Sequence, residues 1–315
     1  MIRDYGSWWH FVLLLVAFSF PVIHAPASAQ DQPAQLSPPS IGQDNNAEMW
    51  RAVRQGIQGT VSIPDKKAGI LVQSEGEEWR SIRNGPMSKY GVWLILGTIS
   101  LLALFFFVRG RIRIESGRTG RSVLRFGMFE RVVHWTVAGS FVLLAVTGLN
   151  LLYGRYLFKT WFGADTFAMM TMLGKYIHNY VGLLFILGLG LMFIVWCRQN
   201  LPSRIDLSWL AQGGGMFKQG LHPPAKKFNA GQKIVFAAVV IGGALLSYSG
   251  ITLMFPFAAG LTVQDMQQIQ LLHAMGALGL TAVIIAHIYI GTVGMEGAID
   301  AMWSGQVEEN WAREH

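Results

Sequence analysis

Apolar and polar residues alternate on a long scale along this chain. Five stretches, near residues 90–108, 132–153, 176–196, 233–255 and 270–294, are almost free of charge. Each has about 20 residues or more, the length a helix needs to cross the hydrocarbon core of a bilayer. The pattern predicts an all-α membrane protein with five spans. A shorter apolar run at 11–23 follows Arg3 and precedes Ala27-Ser28-Ala29, a small-x-small cleavage site, so residues 1–29 are expected to be a cleaved secretory signal. Residues 30–89 are polar. The first ~15 of them have the composition of a disordered linker. The remainder, with Trp50 and Trp79, is too short for its own core and is expected to pack on the membrane part or on a partner.

Composition agrees with the hydropathy pattern. Of the 315 residues 52% are hydrophobic and 14% charged, against about 25% charged in an ordinary soluble domain. A net charge of +7 raises nucleic acid as a partner, but the basic residues lie between apolar runs, which fits loops facing anionic lipid. Arg109, Arg111, Arg113, Arg118, Arg121, Arg125 and Arg131 follow the first span, and Arg198, Arg204, Lys218, Lys226 and Lys227 follow the third. Residues 154–175 and 256–269 hold only Arg155, Lys159 and Lys175. Basic loops remain in the cytoplasm. The mature N-terminus is therefore expected in the periplasm and the C-terminus in the cytoplasm, across a bacterial inner membrane. The acid-rich tail, 295–315, does not oppose this, because acidic residues weigh little in the rule.

The single cysteine, Cys197, excludes an internal disulfide, a cysteine-rich metal site, an iron–sulfur cluster and covalent haem attachment. Any redox cofactor needs other ligands, and the histidines are the candidates. His134 lies near the cytoplasmic start of the second span, and His178 near the periplasmic start of the third. His273 and His287 share the fifth span, 14 residues apart. In a helix that is roughly 21 Å along the axis and about 40° short of four full turns, so both rings leave the same stripe. By depth they form two pairs, His178 with His273 and His134 with His287, the arrangement two stacked b-type haems need. Gly182, Gly276, Gly279 and Gly291 lie near the ligands and would let a porphyrin approach, and Arg125 and Arg131 could meet its propionates.

Plainer readings exist. A histidine in a membrane helix is often an interhelical hydrogen-bonding residue, and intramembrane histidines also serve proton transport. Four that sort by depth into two pairs fit ligation better. The span centres also lack the Asp, Glu, Lys or Arg that a proton path would use.

Several segments resemble the cytochrome b (gamma) subunits of membrane-bound formate dehydrogenases, a group related to the cytochrome b subunits of nickel–iron hydrogenases. They are "RFGMFERVVHWTVAGSFVLLAVTGLNLL", "KYIHNYVG", "KKFNAGQKIVF" and "LLHAMGALGLTAVIIAHIYIGTVGMEGAIDAMWSGQVEENWA", with "GTVSIPDKKAGILVQSEGEEWRSIRNGP" upstream. "FNAGQK" favours formate dehydrogenase over hydrogenase. The resemblance implies a four-helix di-haem bundle (domain 109–315), with one additional N-terminal transmembrane helix (90–108) and a small periplasmic segment. It implies two b haems on the same histidine pairs, and a quinone, menaquinone or ubiquinone, beside the cytoplasmic one near Asn229 and Gly231. The plainer reading of those two residues is a helix cap. The implied partners are a molybdenum- or tungsten-pterin catalytic subunit and an iron–sulfur subunit. This chain has no catalytic residue for formate, and would be the electron carrier and quinone terminus of a formate:quinone oxidoreductase. The alternatives are a nickel–iron hydrogenase cytochrome b and a haem-free membrane anchor or transporter.

Overall fold

The computed structural model describes residues 74–315 apart from 218 and 219. The expected signal sequence and most of the polar segment 30–89, with Trp50, lie outside the described residues. Five of the described helices are long and apolar enough to cross a membrane, as the hydropathy pattern predicts.

The helix of the first span begins well before residue 90. Helix α1 (Ser74–Ile82) continues through a π-helical turn (Arg83–Met87) into α2 (Ser88–Arg109). Pro86 lies in that turn and Gly85 leaves helical geometry there. Proline removes one amide donor and crowds the preceding turn, so the hydrogen-bond ladder has to adjust locally.

Helices α3 (Met128–Phe162) and α4 (Ala164–Trp196) also outrun their apolar stretches. The expected loop at 154–175 is helical except at Gly163, whose φ of 82° and ψ of 171° belong to a region that only glycine occupies without strain. Hydropathy falls where the bilayer ends, but backbone hydrogen bonding does not require apolar side chains, and 154–175 contains no proline. The short α5 (Arg204–Ala211) precedes α6 (Ala230–Met254) and α7 (Val263–Tyr289), which are joined across the 3₁₀ turn Pro256–Ala259. All three helices start on a polar residue whose amide is met by a side chain three positions on. Asp206 accepts from the Ser203 amide at 2.6 Å, Gln232 from that of Asn229 at 3.0 Å and Asp265 from that of Thr262 at 2.9 Å. Each is a polar N-cap with an acid or amide that reaches back to it.

Helix α3 packs along α4, α4 against α6, α6 along α7, and α2 on α7. Small residues set the close crossings. A Cβ on Gly188 would come within 3.1 Å of Val137, and one on Gly243 within 2.9 Å of Leu189. Without a hydrophobic drive between helices in lipid, such close backbone approach supplies much of the packing.

One end of the bundle is closed by the chain's own loops. Strand β1 (Ser122–Leu124) pairs antiparallel with β2 (Gln306–Glu308), with Val123 opposite Val307. The tail also contributes α8 (Asp300–Trp303) and α9 (Glu309–Glu314). Val307 and Trp311 are almost fully buried against Phe126, Trp196 and Phe228, a burial that stabilises by roughly 1.5–3 kcal/mol per large apolar side chain. The acid-rich tail is the counter-surface of the first basic loop. Glu296 meets Arg118 at 2.9 Å and Glu309 meets Arg121 at 2.8 Å. Glu308 accepts the Thr119 amide and hydroxyl at 2.6 Å each. The second basic loop joins the same end, where Arg109 donates to the Met216 carbonyl and Arg125 to the Lys227 carbonyl, each at 2.8 Å.

Candidate functional site

The four intramembrane histidines stand on three helices. His273 and His287 share the uninterrupted α7, so their 14-residue separation corresponds to about 21 Å along its axis. His287 faces His134 of α3, with ring centroids 6.3 Å apart and planes at 62°. His273 faces His178 of α4, at 6.1 Å and 67°. Two imidazoles facing each other across one metal ion stand about 6.2 Å apart, counting about 2 Å per metal–nitrogen bond and about 1.1 Å from nitrogen to ring centre. Both pairs have that spacing. No group of three or more His, Cys, Asp or Glu that could hold a metal ion occurs among the described residues. Two axial ligands with a macrocycle supplying the other four is thus the metal chemistry that each pair fits.

Hydroxyl groups fix the rings of the second pair. Thr147 Oγ1 lies 2.9 Å from His178 Nδ1 and donates its one proton to the Leu143 carbonyl at 2.7 Å. Ser249 Oγ lies 2.8 Å from His273 Nδ1 and donates to the Leu245 carbonyl at 2.7 Å. With each hydroxyl proton committed to its own helix, Nδ1–H must be the donor, which leaves the Nε2 lone pair free for a metal. The next residue is a glycine both times. A Cβ on Gly148 would touch His178 Cε1 at 3.4 Å, and one on Gly250 would touch His273 Cε1 at 3.4 Å. Sequence reasoning missed Thr147 and Ser249. Their signal is the repeated hydroxyl–glycine dipeptide, Thr147-Gly148 and Ser249-Gly250, one helix ahead of each histidine.

The first pair opens on a cavity of about 1760 Å³, larger than the roughly 300–1,000 Å³ of an ordinary ligand pocket and so roomy enough for more than one guest. His134 and His287 line it with Phe141, Phe185 and Val239, and Arg125, Glu115, His222 and His315 line its polar part. Glu130, one turn before His134, accepts from Trp196 Nε1 at 3.0 Å, Lys227 Nζ at 2.7 Å and the Gly127 amide at 2.8 Å. It thereby anchors the start of α3 to α4 and to the second basic loop.

Residues 125–305 match the family described as prokaryotic cytochrome b561. The chain belongs to that family. Over 198 residues it is 28% identical to the nitrate-inducible formate dehydrogenase cytochrome b556(Fdn) subunit of Escherichia coli (strain K12), covering 62% of this chain and 88% of that relative. Over 200 residues it is 30% identical to the formate dehydrogenase cytochrome b556(fdo) subunit of the same organism, covering 62% and 90%. A formate dehydrogenase cytochrome b556 subunit of Haemophilus influenzae is 23% identical over 196 residues, covering 61% and 80%. The expected resemblance to formate dehydrogenase cytochrome b subunits is thus borne out. The matched segment contains α3 to α7 and all four histidines, while α1 and α2 precede it.

The family implies haem b, and several features of the structure fit such a group. His134 Nδ1 is buried without a hydrogen-bond partner, as is Arg125 Nε. Arg125 lines the cavity, with its guanidinium 4.9 Å above the Trp311 ring. Burial lowers its pKa, yet a guanidinium stays charged, so it remains a carboxylate partner. Arg131 instead donates to the Trp303 carbonyl at 2.8 Å. Of the glycines expected to admit a porphyrin, Gly182, Gly279 and Gly291 have open space at the Cβ position, whereas Gly276 packs against Leu245 and Leu246. Asn229 lines the cavity, but its Oδ1 accepts the Gln232 amide at 2.9 Å as the α6 cap. Gly231 also lines it, and a Cβ there would come within 3.0 Å of Trp209.

Proposed function

We propose that this chain is the di-haem b, quinone-reducing membrane subunit of a formate dehydrogenase. It would receive electrons from an iron–sulfur subunit that accompanies a molybdenum- or tungsten-pterin catalytic subunit on the periplasmic side. The observation that carries this reading is the pair of imidazole pairs, 6.3 Å and 6.1 Å between ring centroids. His178 and His273 hold the haem nearer the α3–α4 turn at Gly163, and His134 and His287 the one nearer the basic loops. Each haem supplies a one-electron iron couple, and the chain's own residues fix its height in the bilayer and the orientation of its ligands. The basic loops face the cytoplasm by the charge rule, so electrons move inward across an inner membrane.

The cavity beside His287 is the quinone site in this reading, for menaquinone or ubiquinone. Asn229 and Gly231 form part of its wall. With Asn229 Oδ1 engaged in the cap, its side-chain N–H₂ is the group left to donate to a quinone carbonyl. Formate oxidation itself belongs to the partner.

The test is a reduced-minus-oxidised spectrum of the purified complex, with haem extracted and counted per chain. Two non-covalent b haems are expected, and one in either the His178→Ala or the His134→Ala variant. A folded wild-type chain without haem would make it an anchor or transporter and end the electron-transfer reading.

A further inference from the structure

A quinone that accepts two electrons becomes a quinol only by taking two protons, one on each oxygen. The cavity that would hold it is lined mainly by apolar side chains and by arginines, which do not exchange protons near neutral pH. Apart from the two proposed haem ligands, His222 and His315 are the only described residues lining it whose side-chain type exchanges protons near neutrality.

These two imidazoles belong to one cluster at the polar part of the cavity. Their ring centroids are 6.1 Å apart. His222 Nε2 is 3.2 Å from Glu115 Oε2, and both side chains are partly open to solvent. His315 lies deeper, against the Trp311 ring at 5.4 Å, and its Nε2 is buried with no hydrogen-bond partner. Glu314, which is buried, ties the cluster to the first basic loop by accepting the Glu115 and Ser116 amides at 3.0 Å and 2.9 Å. The groups facing the two histidines are therefore Glu115, Glu314 and Arg125.

We propose that Glu115, His222 and His315 form the proton entry to the quinone site. His315 gives its proton to a quinone oxygen and is recharged from His222, and His222, beside Glu115 and partly open to solvent, is recharged from the bulk. Two such deliveries match the two electrons from formate oxidation, so atoms and charge balance.

The electrostatics suit the role. The Gly220 amide and the contact with His222 keep the Glu115 carboxyl below its ordinary range, so it stays an anion that steadies an imidazolium. Burial lowers the His315 pKa, and His222 and Arg125 add to this against the opposing pull of Glu314. A proton on His315 is thus held less tightly than on a free imidazole, which favours its transfer onward to a reduced quinone oxygen.

The inference rests on the quinone reading, and its test separates the two. In the purified full complex, formate-driven reduction of decylubiquinone and of menadione is followed from pH 6 to pH 8.5, for wild type, His222→Gln and His315→Gln. The haem spectra serve as the folding control. Both variants are expected to lose about tenfold or more at the alkaline end and less at pH 6, where water carries more protons. Imidazole in the buffer should restore part of the loss in His222→Ala, and in the His222 variants affinity for a quinone-analogue inhibitor should stay within a factor of about two of wild type. Unchanged pH profiles, or a uniform loss that imidazole does not rescue, overturn the relay. Wild-type complex that reduces its haems but neither quinone overturns the quinone reading itself, and the relay with it.

Discussion

At the scale of single residues, the hydroxyls behind His178 and His273 set how the second pair behaves. A metal-ligating imidazole depends on the partner of its other nitrogen, which fixes the tautomer and the ring orientation, and losing that partner typically costs about 10- to 100-fold in affinity. In the proposed di-haem reading Thr147 and Ser249 would be such partners, at 2.9 Å and 2.8 Å from the Nδ1 atoms, while His134 Nδ1 has none among the described residues. Thr147→Val preserves shape and removes the acceptor. This variant and Ser249→Ala should each weaken haem retention at the His178–His273 site by about 10- to 100-fold and spare the other site. Haem loss to an excess of apomyoglobin, followed by site-resolved redox titration, measures this. Equal loss from both sites would mean that the hydroxyls act on general packing.

At the scale of elements, hydropathy marks the spans but not their ends. The five apolar stretches and the depth order of the histidines are legible because a bilayer demands about 20 apolar residues and a helix has a fixed rise. The extension of α3 and α4 to Gly163 is not, since the helix continues where side-chain hydropathy no longer reports on it. The residues behind the histidine rings escape for a different reason: Thr147 and Ser249 lie on neighbouring helices, and only the helix register brings them to the imidazoles. Helix α2 shows the same limit, being legible as a span but not as to where it sits. Its seat is Gly91, where an added Cβ would lie 2.5 Å from Tyr153 Oη and 2.6 Å from Leu278 Cδ1. Most of the remaining side chains of α2, including Trp93, Leu101 and Phe107, are exposed. Gly91→Ala should therefore overpack the α2–α7 contact at about 1–3 kcal/mol. Gly97→Ala, with open space at its Cβ, should be neutral or stabilising by up to about 1 kcal/mol. Thermal unfolding of the two variants in the same detergent compares them directly. Equal midpoints would show that α2 is held elsewhere.

At the scale of the whole molecule, the two ends of the bundle differ in charge and in construction. One end gathers both basic loops and the acidic tail into a folded plate, where β1 pairs with β2 and Trp311 is buried beneath the Arg125 guanidinium. Among the described residues the other end holds α1 with its π-helical turn, the turn at Gly163 and the short connection Pro256–Ala259, and the connections 154–175 and 256–269 there carry only Arg155, Lys159 and Lys175. Retention of basic loops in the cytoplasm predicts the direction of the whole chain, with the His134–His287 pair and its cavity at the inner face. Proton uptake from the cytoplasm requires that direction. It can be read in a Cys197→Ser background by adding one cysteine at a time, Ser116→Cys in the plate or Asp165→Cys beside the Gly163 turn, both at exposed positions. A membrane-impermeant maleimide applied to intact spheroplasts should label the Asp165→Cys variant at once, and the Ser116→Cys variant only after lysis. The reverse pattern would put the cavity on the outer face, so quinone reduction there would draw its protons from the periplasm and conserve no charge separation across the membrane.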